Sequence, residues 1–158
     1  MRRRSPVIRP QNPLPDADTI HATLVAKDGA GVLLRGPSGA GKSDLGLRLL
    51  GRGWQLVADD RVEITRAAAV VYGTAPRTLQ GLLEVRGIGI QPTPFLARSP
   101  ITMIVDLVAR AEVPRLPDPL VSELLGAEIT TYRLHSFDVS TPEKLELLLR
   151  LADSTQNR

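Results

Sequence analysis

Residues 36–43 read Gly36-Pro37-Ser38-Gly39-Ala40-Gly41-Lys42-Ser43 and match the pattern GxxxxGK[ST] at every fixed position. An apolar run over 31–35 precedes them, and a segment over 42–50 with Leu45, Leu49 and Leu50 on one side follows. Strand, glycine loop and helix in that order leave few folds open. They imply an α/β domain in which the loop wraps an anion at a helix N-terminus. Glycines let backbone N–H groups turn inward around phosphate oxygens, where side chains would obstruct them. Lys42 then reaches the outer phosphates and the Ser43 hydroxyl sits on Mg²⁺. The residues expected to hold the nucleotide are therefore Gly36, Pro37, Ser38, Gly39, Ala40, Gly41, Lys42 and Ser43, and the ligand is a nucleoside triphosphate or a close relative.

The rest of the chain supports a single α/β domain. Pro6, Pro10, Pro13 and Pro15 lie among polar residues, so 1–18 reads as an unstructured leader and order is expected from Thr19. Strands are expected over 19–26, 31–35 and 55–58, with a strand pair over 62–65 and 69–72. The helix over 42–50 should stop at Gly51 and Gly53. A short helix over 78–83 leads into residues 84–90, and 101–108 is the most apolar strand. A short helix over 120–125, a strand over 128–134 and a closing helix over 142–151 complete the domain. It is expected to span 19–152, with 153–158 a disordered tail.

Composition excludes several function classes. The chain has 158 residues, 42% of them hydrophobic and 23% charged, as in a soluble globular protein. No apolar run approaches the roughly 20 residues of a membrane-spanning helix, and the basic start has no apolar segment behind it, so neither membrane insertion nor secretion is expected. The absence of cysteine removes disulfides and thiolate metal sites and fits a cytoplasmic protein. The net charge of +3 owes four positive charges to Arg2, Arg3, Arg4 and Arg9, so the remainder sits near −1. A body that close to neutral has no basic stripe for nucleic acid.

A phosphate loop does not name a reaction. Asp59 and Asp60 end the strand over 55–58, expected beside the strand of the glycine loop. Two roles are open there: helping to hold Mg²⁺ and accepting the proton of an attacking hydroxyl. Adjacent acids on a strand point to opposite faces, so they should not share one task. His21 taken alone reads more readily as a packed or hydrogen-bonded core residue than as part of a site. Glu84 and Arg86, two apart and followed by Gly87 and Gly89, form an acid–base couple that addresses metal and phosphate together or is a surface ion pair.

The order of these elements resembles the catalytic domain of HPr kinase/phosphorylase: a His-bearing strand, GxSGxGKS, a V-A-D-D-x-V-E segment, then L-L-E-x-R-G-x-G-I at 82–90. The last stretch is the most specific. The resemblance is close over 19–92 and looser to Arg115. It implies a P-loop domain with a partly mixed sheet, similar to the nucleotide domain of phosphoenolpyruvate carboxykinase. It further implies an ATP- and Mg²⁺-dependent kinase acting on a serine of the carrier protein HPr, with Asp60 as general base and as acid in the reverse reaction. By the same resemblance His21 lies against Asp60, Lys42 holds the nucleotide, and Ser43, Asp59 and Glu84 form the metal site. Arg86, Gly87 and Gly89 belong to the signature, and Arg115 corresponds to a catalytic arginine. A homo-oligomer, a hexamer in the family, is expected.

The chain departs from the family in two ways. It reads as a short form with the catalytic domain alone, and its tail lacks the V-x-x-G-R-N-like loop associated with dephosphorylation. A kinase with weak, altered or absent phosphorolysis is therefore expected. Two other readings stand beside it: a P-loop small-molecule kinase, for whose lid there is little room, and a non-catalytic nucleotide sensor. A regulatory GTPase is disfavoured because no N-K-x-D segment exists. His135 is left outside the site.

Overall fold

A computed structural model of the chain describes residues 16–156. Most of the leader expected over 1–18 lies outside them, and β1 (Ala17–Ile20) begins inside its last residues. The centre is a mixed sheet of β4 (Gln55–Ala58), β2 (Thr23–Lys27), β3 (Ala30–Arg35) and β9 (Ser99–Leu107), in that order. β2 runs antiparallel to both its neighbours, whereas β3 and β9 are parallel. The far edge of β9 serves two partners. Its start pairs with β6 (Val70–Thr74), which continues to β5 (Val62–Ala67) and β1. Its end pairs in parallel with β11 (Ala127–Leu134), which carries β10 (Val121–Leu124).

Alternation along the central strands splits the core in two. Leu24, Ala26 and Leu33 face one apolar cluster, closed by residues of β5, β6, β10 and β11 as the sheet curls over itself. Val25, Val32 and Leu34 face the other, covered by Leu45 and Leu49 of α1 (Lys42–Leu50) and Leu145 of α2 (Thr141–Gln156). α2 thus runs beyond the residues expected for a closing helix, into the expected tail. A separate hairpin, β7 (Leu82–Val85) with β8 (Gly89–Pro92), lies beside α1 and buries Leu83 in this second cluster.

Four expectations are corrected. The strand expected over 19–26 is two strands, because the chain leaves β5 at Ile20 and joins β3 and β4 from Thr23; His21 occupies the corner. β4 is not beside β3, since the antiparallel β2 fills that position. The helix expected over 78–83 is a single 3-10 turn, Arg77–Leu79, cut short by Gly81 at φ 68°. The helix expected over 120–125 is the strand β10. Leu125 and Gly126 both take positive φ, 49° and 81°, as a tight type I′ hairpin requires, and this fixes β10 against β11.

Candidate active site

The carboxyl end of β3 feeds the glycine loop. Arg35, its last residue, makes a two-pronged ion pair with Asp106 of β9, with Nε–Oδ1 at 2.7 Å and Nη2–Oδ2 at 3.0 Å. The loop therefore leaves from a braced base. Gly39 and Gly41 lie at φ 86° and 90°, a region that L-residues avoid, and Gly41 caps α1 with no side-chain hydrogen bond. The first N–H groups of α1 are thus left for another acceptor. Lys42 is buried and folds back, its Nζ donating to Gly36 O at 2.6 Å and Pro37 O at 3.1 Å. Burial lowers its pKa from the ordinary 10.5, opposed by the nearby charges of Asp60 and Asp59.

The two aspartates separate as expected, but by a different device. Both lie past the end of β4, in a bend. Asp59 is buried and accepts three hydrogen bonds: Oδ1 accepts from Thr23 Oγ1 and from Ser43 Oγ, each at 2.8 Å, and Oδ2 accepts from the Glu84 backbone N–H at 3.0 Å. One carboxylate thereby ties β2, α1 and the β7–β8 hairpin to the end of β4. Asp60 turns the other way, with φ at 69°, and its Oδ1 lies 2.7 Å from His21 Nε2. The Ala22 N–H donates to Asp60 O at 3.3 Å, which holds the corner carrying His21 against the same bend.

The loop, His21 and Asp60 open into one cleft of about 270 Å³, and buried Asp59 lies outside its lining. The cleft is lined by Ser38, Gly39, Gly41, Lys42 and Ser43 of the loop and helix, by His21 and Asp60, and by Glu84 and Arg86. Arg86 has no carboxylate partner among the described residues, so the couple with Glu84 is not an ion pair. Gly87 (φ 90°) and Gly89 (φ 109°) turn the hairpin beyond it. Gly36, Pro37 and Ala40 complete the loop, with Ala40 N–H donating to Pro37 O at 3.0 Å. Arg115 is not brought to the cleft; it stands exposed in the loop between β9 and β10.

Sequence reasoning missed two contributors. Thr23 is fully buried, lines the cleft and donates to Asp59; a threonine at the start of a strand announces nothing by itself. The segment after β11 also reaches the site: Ser136 donates to Ala40 O, and Phe137 lines the cleft beside Gly41. His135 stays outside the cleft, its Nδ1 2.9 Å from Val108 O.

The donor set suits a hard cation. Ser43, Asp59 and Glu84 offer oxygen alone, and no cluster of three or more His, Cys, Asp or Glu that could hold a metal occurs among the described residues. Mg²⁺ typically takes one or two carboxylates with the phosphates of its nucleotide rather than a full protein cage, so these residues fit it.

Residues 12–140 match the family described as HPr Serine kinase C-terminal domain. The chain belongs to that family. The HPr kinase/phosphorylase of Bordetella pertussis is 38% identical over 146 residues, covering 85% of this chain and 46% of that protein. The one from an Acidovorax species is 40% identical over 127 residues, 72% of this chain and 40% of the relative. The chain thus spans less than half the length of the curated relatives it matches. The solved Hpr(Ser) kinase/phosphatase from Coxiella burnetii superposes with a TM-score of 0.79 at 26% identity, covering 89% of this chain and 99% of that one. No helix among the described residues is long and apolar enough to cross a membrane.

Proposed function

We propose that this chain is an ATP- and Mg²⁺-dependent serine kinase acting on an HPr-type phosphocarrier protein, built on a P-loop fold similar to the phosphoenolpyruvate carboxykinase nucleotide domain. The observation that carries the reading is the pairing of Asp60 with His21 at 2.7 Å, in a cleft lined also by the glycine loop and the first residues of α1. A phosphate cradle alone fits many proteins. A cradle faced by a half-exposed carboxylate held by histidine fits transfer to a hydroxyl.

In this reading the backbone N–H groups of 39–43 and the Lys42 ammonium hold the triphosphate, with Lys42 exchanging its two carbonyl partners for phosphate oxygens. Ser43, Asp59 and Glu84 would hold Mg²⁺, which would supply charge neutralisation at the phosphates. Asp60 accepts the proton of the incoming serine hydroxyl as its oxygen attacks the γ-phosphorus and the bond to the bridging oxygen breaks, releasing ADP, and His21 keeps that carboxylate aimed and stabilised. Arg86 meets phosphate from the hairpin side. Arg115 is left out of the proposed machinery.

A homo-oligomer in the cytoplasm is part of the same proposal.

The test is intact-mass analysis of HPr after incubation with this protein, ATP and Mg²⁺, with Asp60→Asn run alongside. One added phosphate on a serine, lost in the variant, is expected. No gain from a protein that binds ATP removes HPr as the substrate.

A further inference from the structure

Three parallel strands, β3, β9 and β11, end at the same edge of the sheet. Ligands of α/β sheets bind beyond such carboxyl ends. β3 supplies the glycine loop there, and β11 supplies residues 135–140, which the phosphate reading does not use.

That second loop is held from several sides. Ser136 is buried and donates to Ala40 O of the glycine loop. Arg48 of α1 donates to Ser136 O at 2.5 Å and to Asp138 O at 2.8 Å. Arg110, just beyond β9, donates to Asp138 Oδ1 at 2.8 Å, and Thr141 Oγ1 donates to His135 O at 2.5 Å. Every one of these bonds fixes backbone or a flanking side chain, and none covers Phe137. Phe137 stays 54% exposed, and its ring lines the cleft next to Gly41 and packs edge-on to His135, with centroids 5.8 Å apart at 71°. Leu47, 42% exposed on α1, lines the same cleft. Exposing a large ring on so rigid a loop costs hydrophobic stabilisation, which a planar apolar ligand would recover.

We propose that Phe137, with Leu47, is the platform on which the base of the nucleoside triphosphate rests. This extends, and rests on, the reading of the cleft as a nucleotide site. Neither side chain carries a hydrogen-bonding group, so the platform accepts any purine face and does not distinguish adenine from guanine.

The experiment is calorimetric titration of wild type, Phe137→Ala and Phe137→Trp with the Mg²⁺ complexes of ATP, GTP and inorganic tripolyphosphate. Loss of a stacked base weakens binding by about tenfold or more. That loss is expected for both ATP and GTP in Phe137→Ala, with restoration in Phe137→Trp and unchanged tripolyphosphate binding. Unchanged tripolyphosphate binding also demonstrates that the variant is folded. Equal ATP affinity in wild type and Phe137→Ala overturns the platform alone. An equal loss for tripolyphosphate also overturns it, by making the ring a support of the phosphate loop. A wild-type protein that binds neither nucleotide overturns the nucleotide site, and the platform with it.

Discussion

His21 Nε2 and Asp60 Oδ1 lie 2.7 Å apart across 39 positions of sequence, and both side chains remain more than half exposed. A polar pair that open to water contributes little to folding, commonly under about 1 kcal/mol. Its effect on a carboxylate that must be aimed is larger, since a hydrogen bond to a charged group is worth about 1.5–3 kcal/mol. His21→Ala is therefore expected to leave the melting temperature nearly unchanged while lowering kcat roughly ten- to a hundredfold. The KM for ATP should hold. Paired melting and steady-state assays check this, and a fall in stability matching the fall in rate would assign His21 a structural role instead.

Asp60→Asn makes a clean companion because the backbone there has φ at 69°, which Asn tolerates nearly as well as Asp. A lost base typically costs about 10²–10⁴ in rate. Nucleotide binding, measured separately, should survive.

Asp59 answers differently because it is buried beneath three donors. In Asp59→Asn the amide can set its oxygen toward the Glu84 N–H and donate to the hydroxyls of Thr23 and Ser43, which rotate to accept. Folding should be nearly preserved and Mg²⁺-dependent nucleotide affinity lost. Asp59→Ala strands those donors, each unsatisfied group costing about 1–3 kcal/mol, so its melting temperature should drop clearly. Titration of ATP with and without EDTA separates the effects: the wild type should respond to chelation and Asp59→Asn should not.

Much of this site was legible because its signals are local. The bounds of α1 follow from Lys42, Leu45, Leu49 and Gly51 within ten positions, and β4 is a short apolar run ended by two acids. The errors came where contacts are distant or periodicity is ambiguous. A run such as Leu120-Val121-Ser122-Glu123-Leu124-Leu125 is too short for its spacing to separate helix from strand; the left-handed pair Leu125-Gly126 decided it. The antiparallel β2 between β3 and β4 has no mark in either neighbour. The bond from Ser136 to Ala40 spans 96 positions and joins two polar loops, so no sequence pattern could have brought Phe137 to the cleft.

Two glycines test the packing around the sheet. A Cβ at Gly31 would run into the backbone carbonyl of Pro100, while one at Gly73 would meet the side chains of Leu24, Val62 and Ile101. Side chains can shift, at the cost of about 1–3 kcal/mol usual for an overpacked core. The carbonyl belongs to β9, whose pairing with β3 it would disturb. Gly31→Ala should therefore destabilise more than Gly73→Ala in urea melts, and the reverse order would contradict the close approach of β3 to Pro100.

The strap that carries Phe137 should weaken in acid, and the sign follows from Asp138. Its carboxyl pKa is held below the ordinary 3.8, first by the hydrogen bond from Arg110, with desolvation opposing and the charges of Arg110, His135 and Lys144 assisting. A carboxylate whose pKa is depressed on folding contributes stability that is fully present above its unfolded value, and that contribution disappears as pH falls through the folded one. Asp138→Asn and Arg110→Ala should each melt below wild type at neutral pH. The gap should begin to close as the pH drops below the unfolded value of 3.8 and should vanish once it has fallen through the lower folded one. Because the Arg110 side of the pair is largely open to water, the gap should be small and should shrink further in high salt. A gap that persists unchanged into acid would mean that Arg110 and Asp138 hold the loop through packing rather than charge.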